Sequence, residues 1–242
     1  MSQSAAHIVI LGAGHAGGTV AALLRQYGHE GPITLVGEEP IAPYQRPPLS
    51  KAWLKGEADA DSLALKPVEF YAEAGIDFRP NLKAVALQRT ARTATLSNGE
   101  TLSYDILVLA TGARRIRLPM PGANLAGVLT LRSAADAEAV KAAIAPGRRL
   151  AIIGGGYIGL EVAASARALE PQAVVIERDP RLLARAAAAA IAGFFKAYHE
   201  ARGVQVMLSA SVTGFEGRDG HVTGVRLADG QVIACDAALV GV

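Results

Sequence analysis

The 242-residue sequence has a single cysteine, Cys235. That excludes a disulfide framework and a C-x-x-C redox pair within these residues, and it fits a reducing compartment such as the cytoplasm. Aromatic residues make up only 5% of the chain, so Ala, Val, Leu and Ile must fill its cores. No apolar run reaches the roughly 18 residues of a membrane span before glycine or charge interrupts it, which argues against a membrane partner. The N-terminus has no cationic region, and its apolar run stops at Gly12, so it reads as a core strand rather than a signal peptide. The net charge of +2 is too small to argue for nucleic acid.

What the sequence does have is glycine in a fixed pattern, repeated. Apolar Leu150–Ile153 reads as a buried strand, and Gly154, Gly156 and Gly159 complete a G-x-G-x-x-G turn. A helix with small residues at Ala163, Ala164 and Ala166 follows. Ala173–Ile176 is a second strand, ending in Glu177. In such a unit the first glycine makes the tight turn. The second admits a pyrophosphate to the backbone, and the third lets helix and strand pack closely. The free N–H groups and positive dipole end of the helix favour phosphate. An acid about 20 residues further on accepts from a ribose hydroxyl. The same device opens the chain: strand Ile8–Leu11, turn Gly12, Gly14 and Gly17, strand Ile33–Val36, then Glu38. A lone G-x-G-x-x-G is weak evidence. Two copies, each with strands, helix and acid in place, argue for two nucleotide sites; the alternative is two glycine turns in an α/β core without ligand.

The two halves continue in the same order. Gly75–Phe78 matches Gly203–Val206, Leu96–Gly99 matches Leu227–Gly230, and Asp105–Leu109 matches Asp236–Val240. Thr93–Leu96 and Thr101–Leu102, joined through Ser97-Asn98-Gly99, read as a hairpin. The fold class is therefore α/β. Two Rossmann-like dinucleotide-binding domains are expected, 1–115 and 116–242, each a βαβ unit with a β-meander and a closing strand. Arg114–Pro121 reads as the linker. Between the first unit and its meander lies a Pro-rich stretch containing Pro43, Pro47 and Pro48, with Ser50 placed to cap a short helix starting near Lys51. On local evidence it is either a cofactor-holding loop with Arg46 and Lys51, or an ordinary surface loop.

These residues resemble the two-dinucleotide flavoprotein reductases, above all the oxygenase-coupled NADH-dependent ferredoxin reductases. The matching stretches are Ile10–Gly17, Arg46-Pro47-Pro48-Leu49-Ser50-Lys51, Leu109–Ala113, Gly154–Ala163 and Pro180–Leu183. The resemblance runs along the whole chain and implies a glutathione-reductase-like fold with FAD on the first domain and NADH on the second. It carries FAD contacts onto Gly12, Gly14, Ala16, Glu38, Arg46, Lys51, Ala84, Thr111, Gly112 and Arg132. It carries NADH contacts onto Gly156, Tyr157, Ile158, Glu161, Glu177, Arg185 and Gly241, beside the turn glycines Gly154 and Gly159. Lys51 and Glu161 are the catalytic candidates, expected to form an ion pair; the alternative is a glutamate favoured by the helix dipole and a solvated lysine. In relatives a third FAD segment and a C-terminal domain follow. The chain stops at Val242 as the second domain closes, so it is expected to be a fragment that binds FAD weakly or not at all on its own. It also departs from the family at Glu170-Pro171-Gln172, where a glycine turn is usual.

The resemblance implies transfer of electrons from NADH through FAD to a 2Fe-2S ferredoxin or a rubredoxin-like acceptor that serves an oxygenase. Two rivals share the fold. An NADH oxidase or nitrite-reductase-associated flavoprotein would want, in the oxidase case, a redox cysteine soon after the Arg-Pro-Pro-Leu-Ser-Lys stretch, and none is there. A redox-sensing interaction protein of the apoptosis-inducing-factor type would act through partners. Arg114, Arg115 and Arg117 cluster near the linker, with Arg148 and Arg149 elsewhere; a basic face built from them would steer an acidic ferredoxin, the alternative being a solvated face without a partner.

Overall fold

The computed structural model describes residues 5–169 and 172–242. Glu170 and Pro171 of the atypical turn lie outside the described residues. The chain divides into two compact units, 1–46 with 59–114 and 47–58 with 115–242.

In the first unit, four parallel strands run in the order Ile76–Arg79, Ile33–Val36, Ile8–Leu11, Ile106–Leu109. The central strand is apolar throughout because it is covered on both faces. Ile8 and Ile10 pack with Ala21, Leu35 and Tyr71, while Val9 and Leu11 pack with Ala94 and Leu96 of the meander. That meander is the antiparallel sheet Ala84–Gln88, Thr93–Leu96, Thr101–Ser103, so the expected hairpin is present.

The second unit repeats the order with one strand more: Val204–Met207, Gln172–Ile176, Arg149–Ile153, Ala237–Val240, Val128–Thr130, all parallel. Its meander, Val212–Arg218, His221–Leu227 and Val232–Ala234, lays Phe215, Val225 and Leu227 on Ala151, Ile153 and Ile176. Cys235 is fully buried in that cluster, and burial pushes its thiol up to about 11. It is a packing residue. The strand Val128–Thr130 covers the closing strand, which is buried along its length. The first unit has no counterpart among the described residues, and its closing strand leaves Ile106 and Leu109 exposed at the sheet edge.

The expected two-domain α/β architecture is thus present, with a different boundary from 1–115 and 116–242. Segment 47–58 goes with the second unit. It forms a 3-10 turn, Pro47–Ser50, and a short helix, Ala52–Lys55, whose Leu49 and Leu54 are buried. Lys141 from the helix Ala134–Ala143 stands 5.7 Å over the Trp53 ring. Ser50 does not cap the short helix. Lys51 occupies that position without a side-chain capping bond, and the Ser50 hydroxyl is used elsewhere.

Each closing strand is tied to its first strand by the aspartate before it. Asp105 accepts from the His7 backbone N–H at 2.8 Å, and Asp236 accepts from that of Arg149 at 2.9 Å. The Arg149 guanidinium also binds Asp236 and holds its carboxyl below the usual range. A depressed carboxylate stabilises the fold fully above its ordinary value, about 3.9, and that contribution is lost as pH falls through the lower folded value. Asp236→Asn should lower stability by about 1–2 kcal/mol at neutral pH. The difference from the parent should shrink below about pH 4, as urea unfolding at several pH values will show. A difference that stays constant with pH would mean that the charge plays no part.

No helix among the described residues is long and apolar enough to cross a membrane, and no group of three or more His, Cys, Asp or Glu could hold a metal ion.

Candidate functional site

Each glycine turn leads from a buried strand into a twelve-residue helix, His15–Gln26 in the first unit and Tyr157–Ala168 in the second. The first glycines have left-handed backbone, φ +111° at Gly12 and +108° at Gly154. Gly17 and Gly159 lie so close to the carbonyls of Gly12 and Gly154 that a Cβ would collide with them. These four are required by the fold. Gly14 and Gly156 are not. Their φ of −83° and −81° suits any residue. A Cβ on Gly156 would meet nothing within 4 Å, and one on Gly14 would meet only Arg46 Nη2, at 3.9 Å. The space beside these two glycines, at a helix N-terminus, suits a pyrophosphate.

In the first unit Arg46 stands at this turn. Its Nη2 donates to Glu39 Oε1 at 2.7 Å, the Tyr44 hydroxyl donates to the other oxygen at 2.7 Å, and the guanidinium lies 5.3 Å over the Tyr44 ring. Glu39 was not a sequence candidate; the neighbouring acid Glu38 was. Glu38 turns outward, its side chain 75% exposed, with Lys83 Nζ 3.7 Å away. Ala16, Thr111 and Gly112 are exposed, and Ala84 lies partly buried at the start of its strand. Lys51 and Arg132 belong to the second unit.

In the second unit Glu177 is bound to the turn itself. Its Oε2 accepts from the Gly155 N–H at 2.6 Å and its Oε1 from the Asp179 N–H at 2.7 Å. Each oxygen keeps a lone pair for a further donor. Arg178 beside it is exposed, 3.8 Å from Asp179. Tyr157 and Ile158 are exposed on the first helical turn, and Arg185 is exposed beyond Leu182 and Leu183. The Gly241 N–H donates to the Ile153 carbonyl at 2.8 Å, which sets Gly241 against Gly154.

The expected ion pair is formed, with Lys51 Nζ 2.8 Å from Glu161 Oε2. The two line a cleft of about 310 Å³ with Lys55, Ala164, Ser165 and Ala168. The side chains are 48% and 30% exposed, so the pair contributes at most about 1 kcal/mol of stability. Its significance lies in where it fixes charge. The expected basic face is partly neutralised. Arg115 pairs with Asp136 at 2.7 Å and Arg149 with Asp236 at 2.9 Å.

The family described as pyridine nucleotide-disulphide oxidoreductase matches residues 6–242. The chain is 48% identical over 233 residues to a probable ferredoxin reductase, CtmF, of Castellaniella defragrans, covering 96% of this chain and 57% of that protein. It is 44% identical over 235 residues to rhodocoxin reductase of Rhodococcus erythropolis, covering 97% and 55%. A solved covalent putidaredoxin reductase–putidaredoxin complex matches with a TM-score of 0.95 at 37% identity, covering 99% of this chain and 58% of that one. The chain therefore spans little more than half the length of the curated relatives it matches.

Proposed function

The chain belongs to the pyridine nucleotide-disulphide oxidoreductase family, and on that premise we propose that it carries the two dinucleotide sites of a cytoplasmic NADH-dependent, FAD-containing ferredoxin reductase. The observation that carries this reading is the open space beside Gly14 and Gly156, glycines for which the fold itself has no use. The relatives' names support an electron acceptor of the ferredoxin kind; a rubredoxin-like acceptor and service to an oxygenase follow from the family resemblance. The single buried cysteine supports a route without a dithiol within these residues.

The first glycine turn and Arg46 would hold the FAD pyrophosphate, and the second turn would hold that of NADH. Glu177 would accept from the NADH ribose. FAD, when bound, supplies the hydride acceptor and the delivery of single electrons. Lys51 would contribute a positive charge, held by Glu161, of the sign that favours negative charge on a reduced flavin. No side chain acts as a nucleophile.

The test is NADH-driven reduction of several small 2Fe-2S proteins and rubredoxins by the full-length protein. Ferredoxin-dependent turnover is expected. NADH consumption with oxygen as the sole acceptor would point to an oxidase instead. Within this reading, Glu161→Gln removes the partner charge of Lys51. It should slow reduction by NADH about tenfold, which is about 1.4 kcal/mol, and leave the later step to ferredoxin nearly unchanged. Stopped-flow absorbance separates the two steps. An unaltered first step would remove the pair from catalysis.

A further inference from the structure

Ser165 lies one helical turn beyond Glu161 on Tyr157–Ala168, so their side chains share a face. Together they hold one residue at two atoms. The Ser165 hydroxyl donates to the Ser50 carbonyl at 2.8 Å, and the Ser50 hydroxyl donates to Glu161 Oε2 at 2.5 Å. Both serines are 5% exposed. The same glutamate oxygen accepts from Lys51 Nζ, which also donates to the Pro47 carbonyl at 3.1 Å and lies 3.5 Å from Ser50 Oγ. The ammonium thus stands among three oxygens, from Pro47, Ser50 and Glu161.

A half-exposed ion pair does not order a lysine by itself. Fixing the long side chain costs up to about 2 kcal/mol of rotamer freedom, and such a pair returns about 1 at most. The further acceptors help only if Pro47 and Ser50 are held still. Ser165 does this. The other buried positions of its helix are Gly159, Leu160, Val162, Ala163 and Ala166, so an alanine would pack there equally well. The hydroxyl is explained by its bond to Ser50.

We propose that Ser165 is a positioning residue for the Lys51–Glu161 pair. By fixing Ser50 it fixes both the carboxylate and the place of the lysine charge. Its catalytic consequence rests on the reductase reading; the restraint on Lys51 does not.

Two measurements on the intact protein test it. The first is reductive methylation with formaldehyde, followed by mass spectrometry at each lysine. Lys83 is the internal reference, with a side chain 57% exposed and its carboxylate neighbour 3.7 Å away. Lys51 should react several-fold more slowly than Lys83. Ser165→Ala should raise the Lys51 rate about threefold and leave Lys83 unchanged, and so should Ser165→Cys, which is somewhat larger and donates poorly. If either variant fails to fold, the other decides. A Lys51 rate unaltered in the folded variants overturns the proposal.

The second measurement is a double-mutant cycle on NADH turnover. Ser165→Ala should lower kcat about three- to tenfold with KM for NADH within about twofold, and should have almost no effect in a Glu161→Gln background. Equal losses in both backgrounds would mean that Ser165 acts on the fold and not through the pair, which also overturns the proposal. A protein that labels as expected but reduces no iron–sulfur protein would sink the reductase reading and leave the restraint on Lys51 standing.

Discussion

Gly156→Ala is expected to weaken NADH binding about ten- to a hundredfold while leaving the fold nearly as stable as before. The added methyl meets no protein atom within 4 Å, and the backbone there suits alanine. The change costs the protein only the weaker helix N-cap, about 1 kcal/mol or less, which is a few degrees in Tm at this size. A bound pyrophosphate would need that space, and displacing it from the helix N-terminus removes about 1.4–2.8 kcal/mol of binding. Gly159→Ala is the contrasting control. Its methyl would collide with the Gly154 carbonyl, so the strand–helix packing itself must give way. Titration with NADH and thermal melts of both variants separate ligand space from fold space. Unchanged NADH affinity in Gly156→Ala would remove the turn from the nucleotide site.

The sequence makes the two nucleotide units legible because their signals are local. A run such as Ile8–Leu11 is apolar at every position because both faces of a central parallel strand are covered, and each glycine turn sits within one βα junction. Most of the departures are decisions made over long distance. Ser50 looks like a helix cap, yet its hydroxyl goes to Glu161, 111 positions away, and its carbonyl to Ser165, 115 away. Leu49 and Leu54 announce that segment 47–58 is buried, but not which unit buries it. Val128–Thr130 is too short to show any periodicity, and it exists as a strand only because Ala237–Val240 pairs with it. Ser165 had a usable signal, since it follows Glu161 at helical spacing. So did Glu39, the second of two adjacent acids, of which the structure turns the first outward and gives the second to Arg46.

Glu177 should set the choice of nicotinamide cofactor, and NADH should be preferred to NADPH by at least about tenfold in kcat/KM, or 1.4 kcal/mol. A carboxylate at this strand end accepts from a ribose 2′-hydroxyl and repels a 2′-phosphate. The neighbouring Arg178 pulls the other way, because its exposed guanidinium could pair with that phosphate. What decides between them is that Glu177 is already fixed by two backbone N–H groups at 2.6 and 2.7 Å, so the negative charge cannot swing aside to admit the phosphate. The same bonds make simple removal of the acid costly. Glu177→Gln takes away the charge and can satisfy only one of the two N–H donors with its single amide oxygen. The NADH-to-NADPH ratio should therefore fall about tenfold or more, chiefly through loss of NADH affinity and only slightly through gain of NADPH. In the ligand-free protein the Gly155 amide should exchange with solvent about ten times faster in the variant, because its acceptor is lost or weakened. A parent protein that uses NADPH as well as NADH would show that Arg178 prevails. A variant that gains NADPH strongly at unchanged NADH affinity would show that the bonds to the turn carry no weight.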